Sequence, residues 1–391
     1  MNMKPLAGTR VLAVEQFGAG PYGTMFLADM GADVIKVENA TIGGDPARHT
    51  GPYHLGSGDS HYFETWNSNK RSIALDLKSQ AGRRAFESLV ATADVVVNNL
   101  RGDLPAALGL DYAALGKIKP AVVCAHVSAY GRDNERAAWP GYDYLMQAET
   151  GLMHLTGDPD GPPSRFGAPS MVDHVTGLTM TVGLLGALLH ARQTGEGCDV
   201  DTSLFDVALH QLGYAATWYL NEGAVSERQP RSAHYSVAPV QTFPTEDGWV
   251  FVMCMTQKFW LALLDVMGRQ DLAGRPEYAT PATRFAHREQ LTADLDAEFR
   301  KGTTASWLKR LGGVLPVAAV RTLDEALDSP EVHASGMVRP VPHPLRPGFR
   351  MLANPLRFNG ERLAQRVCSP LGADNADLVP GVPGEKTGHE A

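Results

Sequence analysis

An aspartate at the mouth of an apolar helix is the residue of this sequence best suited to covalent chemistry. Asp173 lies in 161–177, GPPSRFGAPSMVDHVTG, where a Pro- and Gly-rich loop runs into the apolar stretch Thr176–Ala191. An aspartate there can cap the helix by accepting from its first N–H groups. It can also act as a carboxylate nucleophile beside the positive helix end, where an oxyanion or thiolate would be held. His174 beside it reads either as a histidine satisfied by the loop or as a proton carrier. Two other segments could hold an anion. Gly18 and Gly20 stand in a turn between an expected strand and an expected helix, so the backbone can approach a phosphate or carboxylate closely. The spacing there is G-x-G-P, not G-x-G-x-x-G, which argues against a dinucleotide. Lys70 and Arg71 form a cation pair in NSNKRSIALDL that either grips phosphates or is merely solvated. There is no G-x-S-x-G elbow, P-loop or H-E-x-x-H. Cys124, Cys198, Cys254 and Cys368 are scattered without metal-ligand spacing, so no metal is expected.

These residues need a scaffold, and the first two hundred positions supply an alternating one. Strands are expected at Arg10–Glu15, Asp33–Val37, Ser72–Leu77, Ala93–Val97 and Ala121–Val127. Helices are expected at Tyr22–Met30, Gln80–Thr92 and Tyr112–Lys117, with a buried core helix over Thr176–Ala191. Near-continuous apolar strands alternating with helices predict an α/β fold, a parallel sheet covered on both faces. The pattern changes after about residue 225. Thr242–Met255 reads as a hairpin around Glu246-Asp247-Gly248, and helices are expected at Lys258–Met267, Arg284–Lys301 and Thr304–Leu311. The expected division is a large domain over 1–205, a linker over 206–224, a small α+β domain over 225–325, and a return to the large domain over 326–391. The last residues, PGVPGEKTGHEA, read as a mobile tail.

The net charge of −8 gives no overall field that would attract nucleic acid. The longest apolar stretch falls short of the ~20 residues a membrane span needs, so no membrane is expected. The N-terminus lacks the apolar core of a signal peptide, and a cytoplasmic location is expected.

Taken together, the segments resemble the family III CoA-transferases, the group of formyl-CoA transferase and carnitine CoA-transferase. The resemblance runs from about Leu6 to about Asn359. It rests on GTRVL at 8–12, AGP at 19–21, LADMGADVIKVE at 27–38, GDPAR at 44–48, NKRSIALDL at 69–77, Asn98-Asn99 with LGL at 108–110, SAYG at 128–131, PGYD at 140–143, Asp173, and SLF at 203–205. It implies that Asp173 is the nucleophile, passing CoA from an acyl-CoA donor, succinyl-CoA by its likeness to such members, to a carboxylic acid, more narrowly a dicarboxylic one. Coenzyme A and its thioesters would be substrates, with no permanently bound cofactor. The resemblance puts Gln16, Phe17 and Gly18 at the thioester, with backbone N–H groups to donate. It puts Lys70, Arg71, Ser72, Ile73, Asn99 and Leu100 around CoA. Arg48, Tyr142, Gln147 and Arg165 are candidates for reading a second carboxylate, each equally able to serve as a structural partner. The implied architecture is a Rossmann-like large domain plus a smaller one in an interlocked-ring homodimer. Two alternatives are an α-methylacyl-CoA racemase, which would need a histidine where Tyr142 stands, and a non-catalytic CoA-binding protein.

Overall fold

The strands that carry the candidate residues are apolar because both faces of their sheet are covered. In the computed structural model, which describes residues 3–167 and 169–379, they are β1 (Arg10–Val14), β2 (Asp33–Glu38), β3 (Arg71–Ala74), β4 (Val95–Asn98), β5 (Val123–Ser128) and β6 (Asp199–Ser203). They form one sheet in the order β3-β2-β1-β4-β5-β6, every neighbouring pair parallel. The chain builds outward from β1 on one side, then crosses over and builds outward from β4 on the other. The loops leaving β1 and β4 therefore diverge, and a crevice opens at the carboxyl ends of these strands. The edge strand β6, DVDTS, was not predicted; it has no apolar run to betray it.

The helices of this part are α1 (Ala19–Asp29), α2 (His61–Asn67), α3 (Gln80–Val90), α4 (Leu104–Ala107), α5 (Tyr112–Leu115), α6 (Asp143–Glu149), α7 (Met171–Thr194) and α8 (Leu204–His210). Helix α1 begins three residues before the predicted Tyr22, so Gly20-Pro21 belong to its first turn. Proline is tolerated there because its missing N–H would have had no intrahelical partner. Helix α7 is long and apolar enough to cross a membrane, yet it lies along α1, β5 and β6. It is not wholly buried, as expected, but one-sided: Thr176, Met180, Leu184 and Leu188 are buried, while Leu178, Val182 and Leu189 are exposed.

Two glycines decide how closely α1 and α7 approach. A Cβ on Gly23 would strike the Gly177 carbonyl, and a Cβ on Gly177 would strike the Ala19 carbonyl. Thr181 donates its hydroxyl to Gly177 O (2.8 Å) and to Gly23 O (3.2 Å). The helices are thus in backbone contact one turn away from Gly18 and Asp173.

The chain divides into two compact units. The first holds the described residues up to 150, 166–212 and those from 330 onward; the second holds 151–165 and 213–329. The expected linker at 206–224 is helical instead, taken up by α8 and by α9 (Gly213–Glu222), and 151–165 joins the second unit. That unit contains β7 (Val240–Pro244) and β8 (Trp249–Met253), antiparallel with Pro244 opposite Trp249. A short third strand, β9 (Val317–Ala319), pairs with β8. The helix expected over Arg284–Lys301 is split into Pro281–Ala286 and Arg288–Phe299 at His287. Phe243, Trp260, Leu263, Phe299 and Trp307 fill the core of this unit.

The last described segment returns to the first unit and closes its sheet. Asn375 accepts from Ala74 N (2.7 Å) and donates to Ala74 O (3.1 Å), so one side chain satisfies the open edge of β3. The expected mobile tail, 380–391, lies outside the described residues. Gly177→Ala is expected to force α7 off α1, costing about 1–3 kcal/mol by overpacking and lowering activity out of proportion to the lost folded fraction. Chemical denaturation and turnover measured on the same variant check this.

Candidate active site

The crevice is shaped by the turn that follows β1. Gln16 N donates to Asn99 Oδ1 (2.9 Å), and Asn99 Nδ2 donates back to Gln16 O (2.6 Å). This pair ties the end of β1 to the end of β4. Phe17 adopts φ 58°, a left-handed conformation that costs a bulky residue about 1–3 kcal/mol unless its surroundings enforce it. Here they do: Phe17 N donates to Asp45 Oδ1 (3.1 Å). Asp45 is itself held by buried charge. Lys36 Nζ lies 2.8 Å from Asp45 Oδ2 and donates to Glu15 O (3.1 Å). Glu38 accepts from Asp45 N (2.9 Å) and pairs with Arg48 (2.7 Å). The turn delivers Gly18 against Asp173, and a Cβ on Gly18 would collide with Asp173 Oδ2.

Asp173 is the third residue of α7. Ser170 occupies the N-cap position, so the capping role open to Asp173 is not the one it fills. Its own N–H donates to Asp143 Oδ2 (2.9 Å). Asp143 also accepts from Gln147 Nε2 (2.6 Å), and Gln147 Oε1 accepts from Phe166 N (2.7 Å). Burial first, then the neighbouring Asp143 charge, pushes the Asp173 carboxyl up to about 7. A carboxylate poised there is reactive when ionised and poorly solvated. His174 points elsewhere. Its Nε2 accepts from Trp66 Nε1 (3.2 Å), and its ring stacks on Tyr22 at 4.2 Å. Burial lowers its pKa, so the ring is neutral, with the proton assigned to Nδ1 by its partners.

The pocket that contains Asp173, about 140 Å³, is lined by Gln16, Phe17, Gly18, Asn99, Leu100 and Tyr142, among others. Tyr142 is exposed and packs edge-on against Phe17 (6.1 Å). Sequence reasoning therefore brought these residues together with Asp173, but two of the expected N–H donors are spent: those of Gln16 and Phe17. Gly18 and the first turn of α1 remain to offer N–H groups.

Several other expectations are corrected. Lys70 is fully buried, donating to Glu15 Oε1 (2.7 Å), Pro21 O and Asn67 Oδ1, and burial pushes it down to about 8. Ser72 donates to Glu38 (2.6 Å) and Ile73 is core. Arg71 pairs with Asp374 (3.1 Å). Lys70 and Arg71 stand at the start of β3, whereas the crevice opens at its end, about 13 Å further at ~3.3 Å per residue. Arg48 is buried against Glu38 and lies over Phe63 at 3.8 Å. The Gln147 amide is consumed by Asp143 and Phe166. None of Lys70, Ser72, Ile73, Arg48 and Gln147 is placed to grip a ligand; they brace the site. Arg165 belongs to the second unit.

A second groove was missed. It is lined by Val14, Val37, Ile42, Leu75 and Leu108, with Asp76 and Lys78 beside them, and it shares Gln16 and Leu100 with the Asp173 pocket. Lys78 is exposed. The rule that ligands bind beyond the carboxyl ends of parallel strands would have pointed to Leu75–Lys78 in place of Lys70–Ile73. Asp143, the anion that perturbs Asp173, was also missed as a site residue.

The crevice thus holds a carboxyl with a raised pKa in a pocket that shares Gln16 and Leu100 with a second, largely apolar groove. Residues 6–375 match the family described as CoA-transferase family III. The chain is 33% identical to the succinate–glutarate CoA-transferase of Agrobacterium fabrum over 96% of its own length and 95% of that protein. It is 35% identical to the succinyl-CoA:mesaconate CoA-transferase of Haloarcula marismortui, covering 88% and 87% of the two. The crystal structure of a CAIB/BAIF family protein from Brucella suis superposes with a TM-score of 0.82 at 32% identity, over 96% of this chain and 98% of that one. The chain belongs to family III of the CoA-transferases and is an enzyme that transfers coenzyme A.

The raised Asp173 pKa makes a thermodynamic prediction. An acid whose folded value lies near 7, above an unfolded value near 4, favours folding while protonated and loses that contribution as pH rises through the window between them. Asp173→Asn, neutral throughout, is expected to match the wild type near pH 4 and to exceed it at pH 8. The expected gain is on the order of 1–3 kcal/mol, allowing for the side of the carboxylate open to solvent. Denaturation at the two pH values tests it; a gap independent of pH would contradict the assignment.

Proposed function

We propose that this enzyme moves CoA from succinyl-CoA to a dicarboxylic acid through covalent intermediates on Asp173. The observation that carries the proposal is the Asp173 carboxylate, seated against Gly18 Cα at the mouth of the crevice and left uncommitted by the N-cap. An Asp173 oxygen attacks the thioester carbonyl, the C–S bond breaks, and CoA leaves as thiolate from a mixed anhydride. The thiolate then attacks the aspartyl carbonyl. Succinate departs with one former Asp173 oxygen, and an aspartyl–CoA thioester remains. The acceptor carboxylate attacks that thioester, and the same two steps run backward to give the new acyl-CoA and free Asp173. Throughout, the acyl activation is never surrendered to water, so exclusion of water is the chief demand on the pocket.

The N–H groups of Gly18 and the first turn of α1 suit the oxyanion of each tetrahedral intermediate, since a helix opens with unsatisfied donors and a positive dipole end. The CoA body fits the shared groove, its apolar wall facing the adenine and pantetheine. Lys78, with Arg101 on the Asp173 pocket, supplies cations for phosphate. The dicarboxylic acceptor rests on the relatives named for glutarate and mesaconate. Tyr142, on the rim of the Asp173 pocket, is a candidate for reading its far carboxylate. The apolar outer face of α7 supports a homodimer, interlocked as in the family, and we place the enzyme in the cytoplasm. Tyr142 stands where the racemase reading needs its histidine, and the nearby His174 accepts from Trp66, so that reading lacks its base.

Two outcomes are expected. Mixing with succinyl-CoA and trapping with hydroxylamine or borohydride should modify the peptide that holds Asp173, and Asp173→Ala should abolish both the adduct and turnover, by at least about 10³-fold. An adduct on another residue would sink the mechanism. Because the nucleophile must be ionised, kcat/KM for the donor should rise with pH around 7. Asp143→Asn, which removes the like charge, should move that limb to lower pH.

A further inference from the structure

The last described part of the first unit gathers positive charge in an otherwise acidic chain. Between residues 330 and 370 stand Arg339, Arg346, Arg350, Arg357, Arg362 and Arg366, against the acids Glu331 and Glu361. Three of the arginines converge. Arg357 and Arg362 face each other across a two-stranded hairpin, paired in register and joined by Asn359-Gly360, both at positive φ. A turn of this kind fixes the register firmly. Arg362 donates Nε (3.0 Å) and Nη2 (2.7 Å) to Ser335 O and Nη1 to Asn354 O (3.2 Å); Arg357 donates Nη2 to the Ser335 carbonyl (2.5 Å) and Nη1 to Gly360 O (3.5 Å). Arg339 donates to Leu363 O (3.0 Å), next in sequence to Arg362.

Like charges directly opposed across a strand pair are destabilising, and a natural hairpin normally offsets them with a carboxylate. Among the described residues, none of these three guanidinium groups has a carboxylate within ion-pair distance. Burial, then Arg357 and Arg339, pulls the Arg362 pKa below its ordinary value, as unrelieved repulsion would. Arg339 and Arg362 are only partly exposed, which weakens solvent screening. Their bonds to main-chain carbonyls fix the guanidinium planes but use only part of the donors each carries. Each bonded Nη still keeps a second N–H, and clustered guanidinium donors with no counter-charge suit a tetrahedral or planar oxyanion.

We propose that Arg339, Arg357 and Arg362 form a binding site for a phosphate-class oxyanion, separate from the Asp173 pocket. None of the three lines that pocket or its neighbouring groove. The ligand is either free inorganic phosphate or the phosphate of a small metabolite, and its binding relieves the repulsion within the hairpin and steadies the segment that returns to β3.

The test uses the full chain, wild type and Arg357→Gln/Arg362→Gln, titrated with inorganic phosphate at constant ionic strength held with sodium chloride, and read by thermal unfolding. In phosphate-free buffer the variant should melt at or above the wild type, because the repulsion is gone. Added phosphate should raise the wild-type midpoint saturably, by several degrees, and the variant's midpoint much less, reversing or closing the order. Titration of both proteins with CoA should give equal dissociation constants, which separates this site from the catalytic one. A larger shift with a phosphorylated metabolite such as a sugar phosphate than with phosphate alone would identify the ester as the ligand source. An equal phosphate response in the two proteins, or none in the wild type, would overturn the proposal. So would a variant that loses its oligomeric state by light scattering, since the arginines would then face carboxylates of a second copy.

Discussion

Everything at the crevice depends on a cluster of buried charges beneath the turn that leaves β1. Lys36, Lys70 and Arg48 are matched there by Glu15, Glu38 and Asp45, all removed from solvent. Such a cluster is a poor source of stability, because desolvation offsets most of the attraction. Its value is positional. Asp45, fixed by Lys36, is the acceptor that holds Phe17 in a left-handed conformation, and that conformation aims Gly18 at Asp173. Removing one member would strand its partner at a cost of roughly 3–5 kcal/mol, so the turn cannot relax by small steps.

The second constraint comes from the opposite side. Gly23 and Gly177 let α1 and α7 meet backbone to backbone, and this contact carries the start of α7 down onto the start of α1. Two helix N-termini therefore meet at one point, with a carboxylate between them that burial and Asp143 keep near neutrality in its free state. The positive helix ends favour the ionised form, while burial and the neighbouring anion oppose it. In the mechanism we propose, a carboxylate balanced in this way needs little reorganisation to attack, and the oxyanion formed beside it would meet donors already in place.

Much of this was legible in the sequence because β1, β2, β4 and β5 are apolar throughout and the loop before α7 is rich in Pro and Gly. The placement of Asp173 against the Gln16–Gly18 turn followed from motif order rather than from local chemistry, which also left an N-cap role open. What could not be read was the depth of each side chain. Lys70 and Arg48 look like surface cations in sequence, and only their partners, remote in the chain, show them to be buried. The polar edge strand β6 and the helix break at His287 escaped for a related reason: pairing and packing at those places override periodicity. The helical character of 204–222 escaped because a stretch of mixed polarity between domains reads as a linker until its contacts are seen.

The most direct measurement of the central claim is oxygen transfer into Asp173. The enzyme would be turned over with succinyl-CoA and succinate labelled with ¹⁸O in the carboxylates, then digested and its Asp173 peptide weighed. An anhydride route must leave oxygen from the acceptor carboxylate in the aspartate, so the peptide should become heavier by one and, with further cycles, by two ¹⁸O atoms. An unlabelled Asp173 peptide after many turnovers, with label appearing in the succinyl-CoA, would contradict covalent catalysis by this residue.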